Sequence, residues 1–173
     1  IDRLLSPLRA CEQEVLAQAD RLPGAAGTDR LFATIRRLAC ADSTWGTRTV
    51  ARLVAEQRHV DALSAIGLMR TPPPALVRQR GLLLQWTGAS AEALQTLEPF
   101  LAAHPDDLEV RLAVVDAHRA RGQAYAAFAA AEPILESPRL PVERRVEFAR
   151  LALEADAPSR ALALADAVAD AAV

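Results

Sequence analysis

The amino-acid sequence repeats itself every 34 residues. The repeat is carried by three alanines and by a dipeptide that returns one interval later: Ala93, Ala127 and Ala161, then Glu98-Pro99 and Glu132-Pro133. A constant interval of this length is typical of a helix–turn–helix unit that stacks on copies of itself. Because stacked units form extended surfaces, such chains usually bind another macromolecule. The interval therefore predicts a binding scaffold built from helical hairpins.

The composition limits the class of partner. Of the 173 residues, 51% are hydrophobic and only 4% aromatic, which suits helices packed through small side chains better than sheets. The 20 cationic residues are all arginine, a bias that we attribute to GC-rich coding and hence to a bacterial source. They alternate with 22 acidic residues, and the net charge is −2. Because nucleic-acid binding needs a basic surplus and a membrane span needs about 18 uninterrupted apolar residues, neither class fits.

Ten helices are predicted from the spacing of apolar residues and from the helix-breaking residues between them. Glycine ends two of the helices at equivalent positions, Gly88 and Gly122, and Asp156 stands at that position one interval later. The glycines of residues 24–27 are expected to separate the first two helices. No stretch alternates as a strand does. The predicted helices span residues 3–21, 28–41, 44–57, 59–70, 74–87, 90–103, 107–121, 123–137, 141–155 and 158–172.

The repeat resembles that of the tetratricopeptide (TPR) family. Starting a repeat at Pro74 puts Gly81 at the glycine of the family's first helix, helix A. Ala93 then falls at the alanine of the second helix, helix B, and Pro105 at the closing proline. The resemblance implies an all-α, right-handed α-solenoid of about five antiparallel helix pairs. The predicted boundaries are a degenerate N-terminal pair, 1–42, and four repeats, 43–73, 74–107, 108–141 and 142–173.

Two features depart from a regular, complete array. Pro99 and Pro133 fall inside helix B of successive repeats, where proline removes a backbone hydrogen bond. Their equivalent positions predict a kink that the two helices share. The last predicted helix, 158–172, has an apolar face with no polar cap after it, whereas repeat arrays end in polar caps. We therefore expect this chain to be part of a longer array.

The resemblance also implies a partner-binding groove lined by helix A. Arginine and tryptophan, which are enriched among binding hot spots, occur at several of its positions. Each residue taken singly also fits a purely structural role, and Trp86 is the main candidate for contact with a polysaccharide. The implied groove residues are Arg78, Leu82, Gln85 and Trp86 in one repeat, Glu109, Leu112, Asp116 and Arg119 in the next, and Glu143, Val146 and Arg150 in the last.

Two cysteines lie at equal distances from the turn between the first two predicted helices. If segments 3–21 and 28–41 form an antiparallel hairpin, Cys11 and Cys40 lie side by side. One hypothesis is a disulfide, which needs an oxidising compartment such as the periplasm. The other is a pair of buried free thiols that pack as small hydrophobic residues. Spacing in sequence leaves both open, because a disulfide also needs a short Cα separation.

No catalytic, metal or cofactor site is predicted. The three histidines, His59, His104 and His118, lack the spacing and the companion ligands of a zinc site. The sequence contains no nucleophile elbow, phosphate-binding loop or dinucleotide fingerprint. The predicted turns are also too short to build a deep pocket. An enzyme, such as a helical toroid acting on glycans, is therefore disfavoured.

Two short phrases refine the functional prediction. Residues 82–86 (LLLQW) and 97–100 (LEPF) are similar to the periplasmic repeat regions of bacterial exopolysaccharide-export proteins. That resemblance implies a periplasmic scaffold that binds a protein partner or peptide segment and recruits polymer-modifying enzymes. The alternative is a regulatory helical-repeat segment of a cytoplasmic transcriptional activator or signalling protein. Reduced cysteines would favour this alternative.

Overall fold

The computed structural model describes residues 2–17 and 24–170. These residues form ten α-helices and no strand, which confirms the predicted all-α class. The predicted end of the first helix (residues 18–21) and of the tenth (171–172) lie outside the described ranges. The helices are α1 (Asp2–Leu16), α2 (Gly24–Arg37), α3 (Thr44–Ala55), α4 (His59–Gly67), α5 (Pro74–Trp86), α6 (Ser90–Ala103), α7 (Leu108–Ala120), α8 (Ala124–Ala131), α9 (Val142–Glu154) and α10 (Pro158–Asp170).

The chain divides inside α5 into two compact units, Ile1–Leu83 and Leu84–Val173. In the first unit α2 packs on α1 and on α3, and α4 packs on α3. In the second unit the same order continues, from α6 on α7 through to α9 on α10. Within each unit these helices therefore pack chiefly on their neighbours in sequence, as expected for stacked hairpins.

The first unit has its core between α1 and the start of α5. Ile35, Leu53 and Ala65 are fully buried there, one from each of three successive helices. Trp45 lies half-buried against this core, and the guanidinium of Arg48 stands 4.9 Å from the centre of its ring. Trp45 therefore has a packing role at the start of α3.

The core of the second unit lies between α7 and α10. Phe128 and Phe148 are buried in it, together with Val115, Leu151 and Ala161. The small residue at 161 lets α10 approach α9 closely. The core therefore forms where the apolar side of each hairpin faces its neighbour.

Three helix ends share one hydrogen-bonding pattern at the predicted interval. Gly88, Gly122 and Asp156 have φ angles of 83°, 70° and 58°, in the left-handed region. After Gly122, the Gln123 N–H donates to the carbonyl of His118 at 3.0 Å, closing the wide loop of a Schellman motif. The corresponding bonds after residues 88 and 156 measure 2.9 and 2.8 Å. The repeat in sequence is therefore also a repeat in backbone conformation.

The second helix begins four residues earlier than predicted, at Gly24. Contacts from α3 hold this first turn, because Arg52 donates to the Gly24 carbonyl at 3.0 Å. The Thr28 hydroxyl also donates to the carboxylate of Glu56 at 2.6 Å. These tertiary bonds outweigh the weak helix propensity of the glycines at 24 and 27.

The two prolines in helix B do not share one backbone geometry, contrary to prediction. Helix α6 continues through Pro99 to Ala103. Helix α8 ends at Ala131, and Pro133 lies in a 3₁₀ turn, Glu132–Ile134. Pro138 stands five positions after Pro133, whereas Pro105 stands six positions after Pro99. The chain therefore has less room for another helical turn, since the residue before a proline is disfavoured in α-helix.

Candidate binding surface

The structure removes Leu82 from the predicted groove. Its side chain is only 2% exposed, and the two leucines that follow it in sequence are buried as well. Three consecutive buried leucines leave this stretch of α5 no apolar residue for a partner. Arg78, on the same helix, is half-buried.

Helices α7 and α9 of the second unit are joined by an ion-pair cluster. Arg144 Nη2 donates to both carboxylate oxygens of Asp116 at 2.8 and 2.7 Å, and Nη1 donates to Glu147 at 2.7 Å. Arg119 adds a contact of 3.5 Å to the same Glu147 carboxylate. Predicted residues Asp116 and Arg119 are thus brought together by two residues that the sequence analysis missed. A second charged pair 28 residues apart, Glu132 and Arg160, also joins successive hairpins.

The ion-pair cluster shifts the pKa of the Arg144 guanidinium, which lies at its centre. Burial lowers the pKa of Arg144, but the hydrogen bonds and negative charges of Asp116 and Glu147 outweigh this, so its pKa is raised. Arg144 therefore stays charged and holds both carboxylates. Asp116 is accordingly committed to a structural bond, and Arg119, whose side chain is exposed to a similar extent, makes the longer contact to Glu147.

A cleft of about 470 Å³ opens beside this cluster, at the end of α7 and the start of α8. We call it the α7–α9 cleft. Its walls include the charged side chains of Arg119 and Glu154 and the backbone turn at Gly122. The full lining is Asp116, Arg119, Ala120, Gly122, Ala124, Leu151 and Glu154.

A second cleft of about 490 Å³ occupies the equivalent place one repeat earlier. We call it the α5–α7 cleft. Its residues Gln85, Gly88, Ser90 and Ala120 correspond, 34 residues on, to Arg119, Gly122, Ala124 and Glu154 of the first. Arg121 and Glu92 supply its charges. Both clefts combine one arginine, one glutamate and the left-handed turn after a helix A.

The remaining predicted groove residues line neither cleft. Trp86 is exposed next to Gln85, and Glu109 and Glu143 are exposed on α7 and α9. Leu112 is half-buried and packs against the core. Val146 and Arg150 are exposed beside a separate apolar surface.

Cys11 and Cys40 are joined in a disulfide. Their Cα atoms are 6.2 Å apart, and both side chains are fully buried in the core of the first unit. Ser43 Oγ lies 3.8 Å from the Cys11 sulfur. The bond ties α1 to the residues after α2 and so closes the first hairpin.

Two further findings concern the described residues only. No group of three or more His, Cys, Asp or Glu side chains among them could hold a metal ion. His118 instead fastens a turn, because its Nδ1 lies 2.9 Å from Gln123 and its Nε2 lies 3.3 Å from Glu98. Over the same ranges, every helix is too short or too polar to cross a bilayer.

The geometry defines an all-α helical-repeat protein of the TPR type. Two solved structures share this fold. The chain superimposes on a double mutant of MamA from RS-1 with a TM-score of 0.70 and 13% identity, over 95% of this chain and 93% of the other. For residues 41 to the end of MamA from Desulfovibrio magneticus RS-1, the TM-score is 0.64 at 13% identity, covering 95% and 94%. No family model and no curated protein matches the sequence.

Proposed function

We propose that this chain is a non-enzymatic scaffold that binds an extended segment of a partner protein across the α5–α7 and α7–α9 clefts. The observation that carries the proposal is that the same turn returns one repeat later, with an arginine and a glutamate beside it in each cleft at positions that are not equivalent. An extended peptide has side chains at a constant spacing, so it can place one side chain in each of two clefts that are one repeat apart. The TPR-type fold supports this reading, because stacked hairpins commonly serve as binding surfaces.

The spacing of the clefts favours an extended peptide. Packed helices stand about 8–10 Å apart, and an extended chain advances about 3.3 Å per residue. A segment crossing from one cleft to the next therefore places side chains about three residues apart in the two sites. Each site offers one cationic and one anionic group, Arg119 with Glu154 and Arg121 with Glu92. We expect ligands of mixed charge, bound less tightly as salt is raised.

The test begins with peptides selected on the immobilised chain from a phage-displayed random library. Their affinity is then measured by fluorescence anisotropy against cleft variants. Arg119→Ala and Glu92→Ala should each weaken binding about tenfold, because each removes the partner of a ligand charge. Arg139→Ala is the matched control, an exposed arginine outside both clefts, and should leave the affinity unchanged. If the selected peptides bind both cleft variants with unchanged affinity, the proposal is refuted.

A periplasmic location is the second part of the proposal. The Cys11–Cys40 disulfide supports it, because structural disulfides persist in oxidising compartments and are rare in the bacterial cytosol. Acid quenching of whole cells, alkylation of the denatured protein and mass spectrometry test it, because thiols buried in the fold would resist alkylation even when reduced. Both cysteines should escape alkylation unless a reductant is added first. Alkylation without reductant would favour the alternative, a regulatory segment in the cytoplasm.

The finer hypothesis is that the scaffold recruits enzymes for exopolysaccharide synthesis or export. It rests on the sequence phrases at residues 82–86 and 97–100. The first leucine of each phrase, Leu82 and Leu97, is buried. Deleting the gene in its natural host should reduce secreted polymer and biofilm. Complementation with the wild-type gene should restore them, whereas complementation with the Arg119→Ala variant should restore them only in part. Unchanged polymer secretion after deletion would reject this role.

A further inference from the structure

A third cleft of the second unit lies at the start of α7, whereas the α7–α9 cleft lies at its end. It has a volume of about 530 Å³ and is bordered by the turn between α6 and α7 and by the turn between α8 and α9. Pro105, Pro133 and Pro138 line it, so we call it the proline cleft. Leu108 and Ile134 add to its apolar lining. Because both turns join described helices, the cleft is internal to the repeat array.

The proline cleft lies where the repeat departs from its own backbone pattern. Helix α6 continues through Pro99 to Ala103, whereas α8 ends at Ala131 and is followed by the 3₁₀ turn that contains Pro133. Both Pro133 and Ile134 of this turn line the cleft. Because the φ angle of proline is fixed, such walls lose little conformational freedom when a ligand binds. The departure from the repeat thus provides a preformed site.

Backbone carbonyls hold Arg111 in the proline cleft. Its Nη2 donates to the carbonyl of Pro105 at 2.8 Å, and its Nη1 donates to the carbonyl of Ala130 at 3.4 Å. Its Nε is buried and has no hydrogen-bond partner, and among the described residues the side chain forms no ion pair. Carbonyl oxygens carry only partial charge, and a partly buried cation is costly unless an anion accompanies it. The two bonds therefore orient the guanidinium without neutralising it.

The other charges of the proline cleft also favour an anion. Arg139 is exposed at its edge and supplies a second guanidinium, and Asp106 is the acidic residue of the lining. The lining therefore carries two positive charges and one negative, although the net charge of the whole chain is −2. A guanidinium binds a carboxylate through two parallel hydrogen bonds. The prolines and aliphatic side chains around the arginines suit an apolar group beside that carboxylate.

We propose that the proline cleft binds an acidic segment of a partner protein, in which an aspartate or glutamate side chain stands next to an apolar residue. Arg111 and Arg139 bind the carboxylate, and the proline walls contact the apolar neighbour. A peptide is favoured over an acidic sugar, because none of the residues that line the cleft has the aromatic ring on which a sugar usually stacks. The proposal goes beyond the proposed function, since no residue of this cleft belongs to the α5–α7 or α7–α9 cleft.

Two fluorescein-labelled hexapeptides test the inference by fluorescence anisotropy at low salt. One alternates leucine with glutamate, and the other alternates leucine with glutamine. The acidic peptide should bind the intact chain at least about tenfold more tightly, because only its side chains pair with the two arginines. Raising the salt concentration should weaken this binding. Equal affinities for the two peptides, or no binding of either, would overturn the inference.

Variants of two exposed residues should change the affinity for the acidic peptide in opposite directions. Arg139→Ala should weaken binding about tenfold, because it removes a partner of the carboxylate. Asp106→Asn should strengthen binding about threefold, because it removes a like charge from the cleft. Loss of folding cannot produce both signs. Unchanged affinity in both variants would refute the assignment.

Arg121→Ala is the matched control, since it removes an exposed arginine of the α5–α7 cleft and changes the net charge equally. It should leave the affinity for the acidic peptide unchanged. If it weakens binding as much as Arg139→Ala does, the peptide responds to net charge alone and the inference is wrong. If it weakens binding and Arg139→Ala does not, the peptide occupies the α5–α7 cleft, so this inference fails while the proposed function stands.

An acidic sugar would give a different result in the same assay. A labelled hexamer of a uronic acid should bind more weakly than the acidic peptide, because it offers no apolar side chain to the proline walls. If it binds more tightly and loses affinity in the Arg139→Ala variant, the assignment to a protein segment is overturned.

Discussion

Gly46 is required by a close approach of backbone to backbone. A Cβ atom at this position would collide with the carbonyl group of Ala41. The contact arises because the chain turns sharply before α3, where the Gly46 N–H donates to Ser43 Oγ at 3.3 Å. A carbonyl on the main chain cannot swing aside as a long side chain does. The turn and the helix cap therefore depend on a residue without a side chain.

We predict that Gly46→Ala lowers the free energy of unfolding by about 3 kcal/mol, because the turn must open to admit the methyl group. Gly67→Ala is the control, since open space surrounds that helical glycine. It should be neutral or stabilising by about 0.5 kcal/mol through helix propensity. Urea denaturation followed by circular dichroism measures both. Similar losses for the two variants would contradict the steric argument.

The left-handed helix ends make a second prediction at this scale. Gly122→Ala should lower the free energy of unfolding by about 1 kcal/mol, because a Cβ is strained at a φ of 70°. Asp156→Gly should raise it by about 0.5–1 kcal/mol, since residue 156 adopts the same conformation with a side chain. Urea denaturation followed by circular dichroism gives the sign of the change in the free energy of unfolding for both variants. A destabilised Asp156→Gly protein would show that its side chain, rather than backbone strain, decides this position.

At the scale of elements, the bond between Asp116 and Arg144 holds α7 against α9. Both hydrogen bonds to the carboxylate are short, and Arg144 is mostly buried, so solvent screens the pair less than an exposed one. The pair Arg160–Glu132 also joins separate elements, α10 and the 3₁₀ turn. It is longer, at 3.7 Å, and both of its side chains are largely exposed.

A double-mutant cycle with Asp116→Ala and Arg144→Ala should give a coupling free energy of about 1 kcal/mol. The same cycle on Arg160 and Glu132 should give a coupling near zero, because exposed long-side-chain pairs contribute little. Thermal unfolding of the single and double variants provides both values. Equal couplings for the two pairs would mean that burial and geometry do not separate them.

At the scale of the whole molecule, the described contacts run mainly between neighbouring helices, and the chain divides into two compact units. Stability in such a chain is roughly a sum of local terms. A destabilising change within one unit should therefore lower the stability of that unit and leave the other nearly unchanged. The disulfide, which lies in the first unit, offers a way to examine this.

Reducing the Cys11–Cys40 bond should destabilise the first unit by about 3–4 kcal/mol, the loop-closure value for a separation of 29 residues. Hydrogen exchange measured by mass spectrometry should then show faster exchange in residues 24–66 and little change in 108–165. The Cys11→Ser/Cys40→Ser double variant should not respond to reductant. An equal increase in the hydrogen-exchange rate of both segments would contradict the expectation that each unit has its own stability.

The sequence alone determined the helix–turn–helix interval, because that interval comes from local chemistry. Helix ends follow glycines and prolines, as at Gly88 and Gly122, and apolar spacing marks the buried side of each helix. Nine predicted helices begin within one residue of their observed starts, and the exception, α2, is held by bonds from α3. Local signals therefore predicted most of the elements, and a tertiary contact accounts for the exception.

Only the tertiary structure decided which apolar and charged residues are buried and which are exposed. Leu82 and Leu162 are both leucines on amphipathic helices, yet one is buried and the other exposed, because exposure depends on what packs against each helix. Arg144 pairs with Asp116 from 28 residues away, and no local pattern specifies that choice. The physical reason is range: backbone conformation is set by nearby residues, whereas burial and ion pairing are set by the neighbouring hairpin.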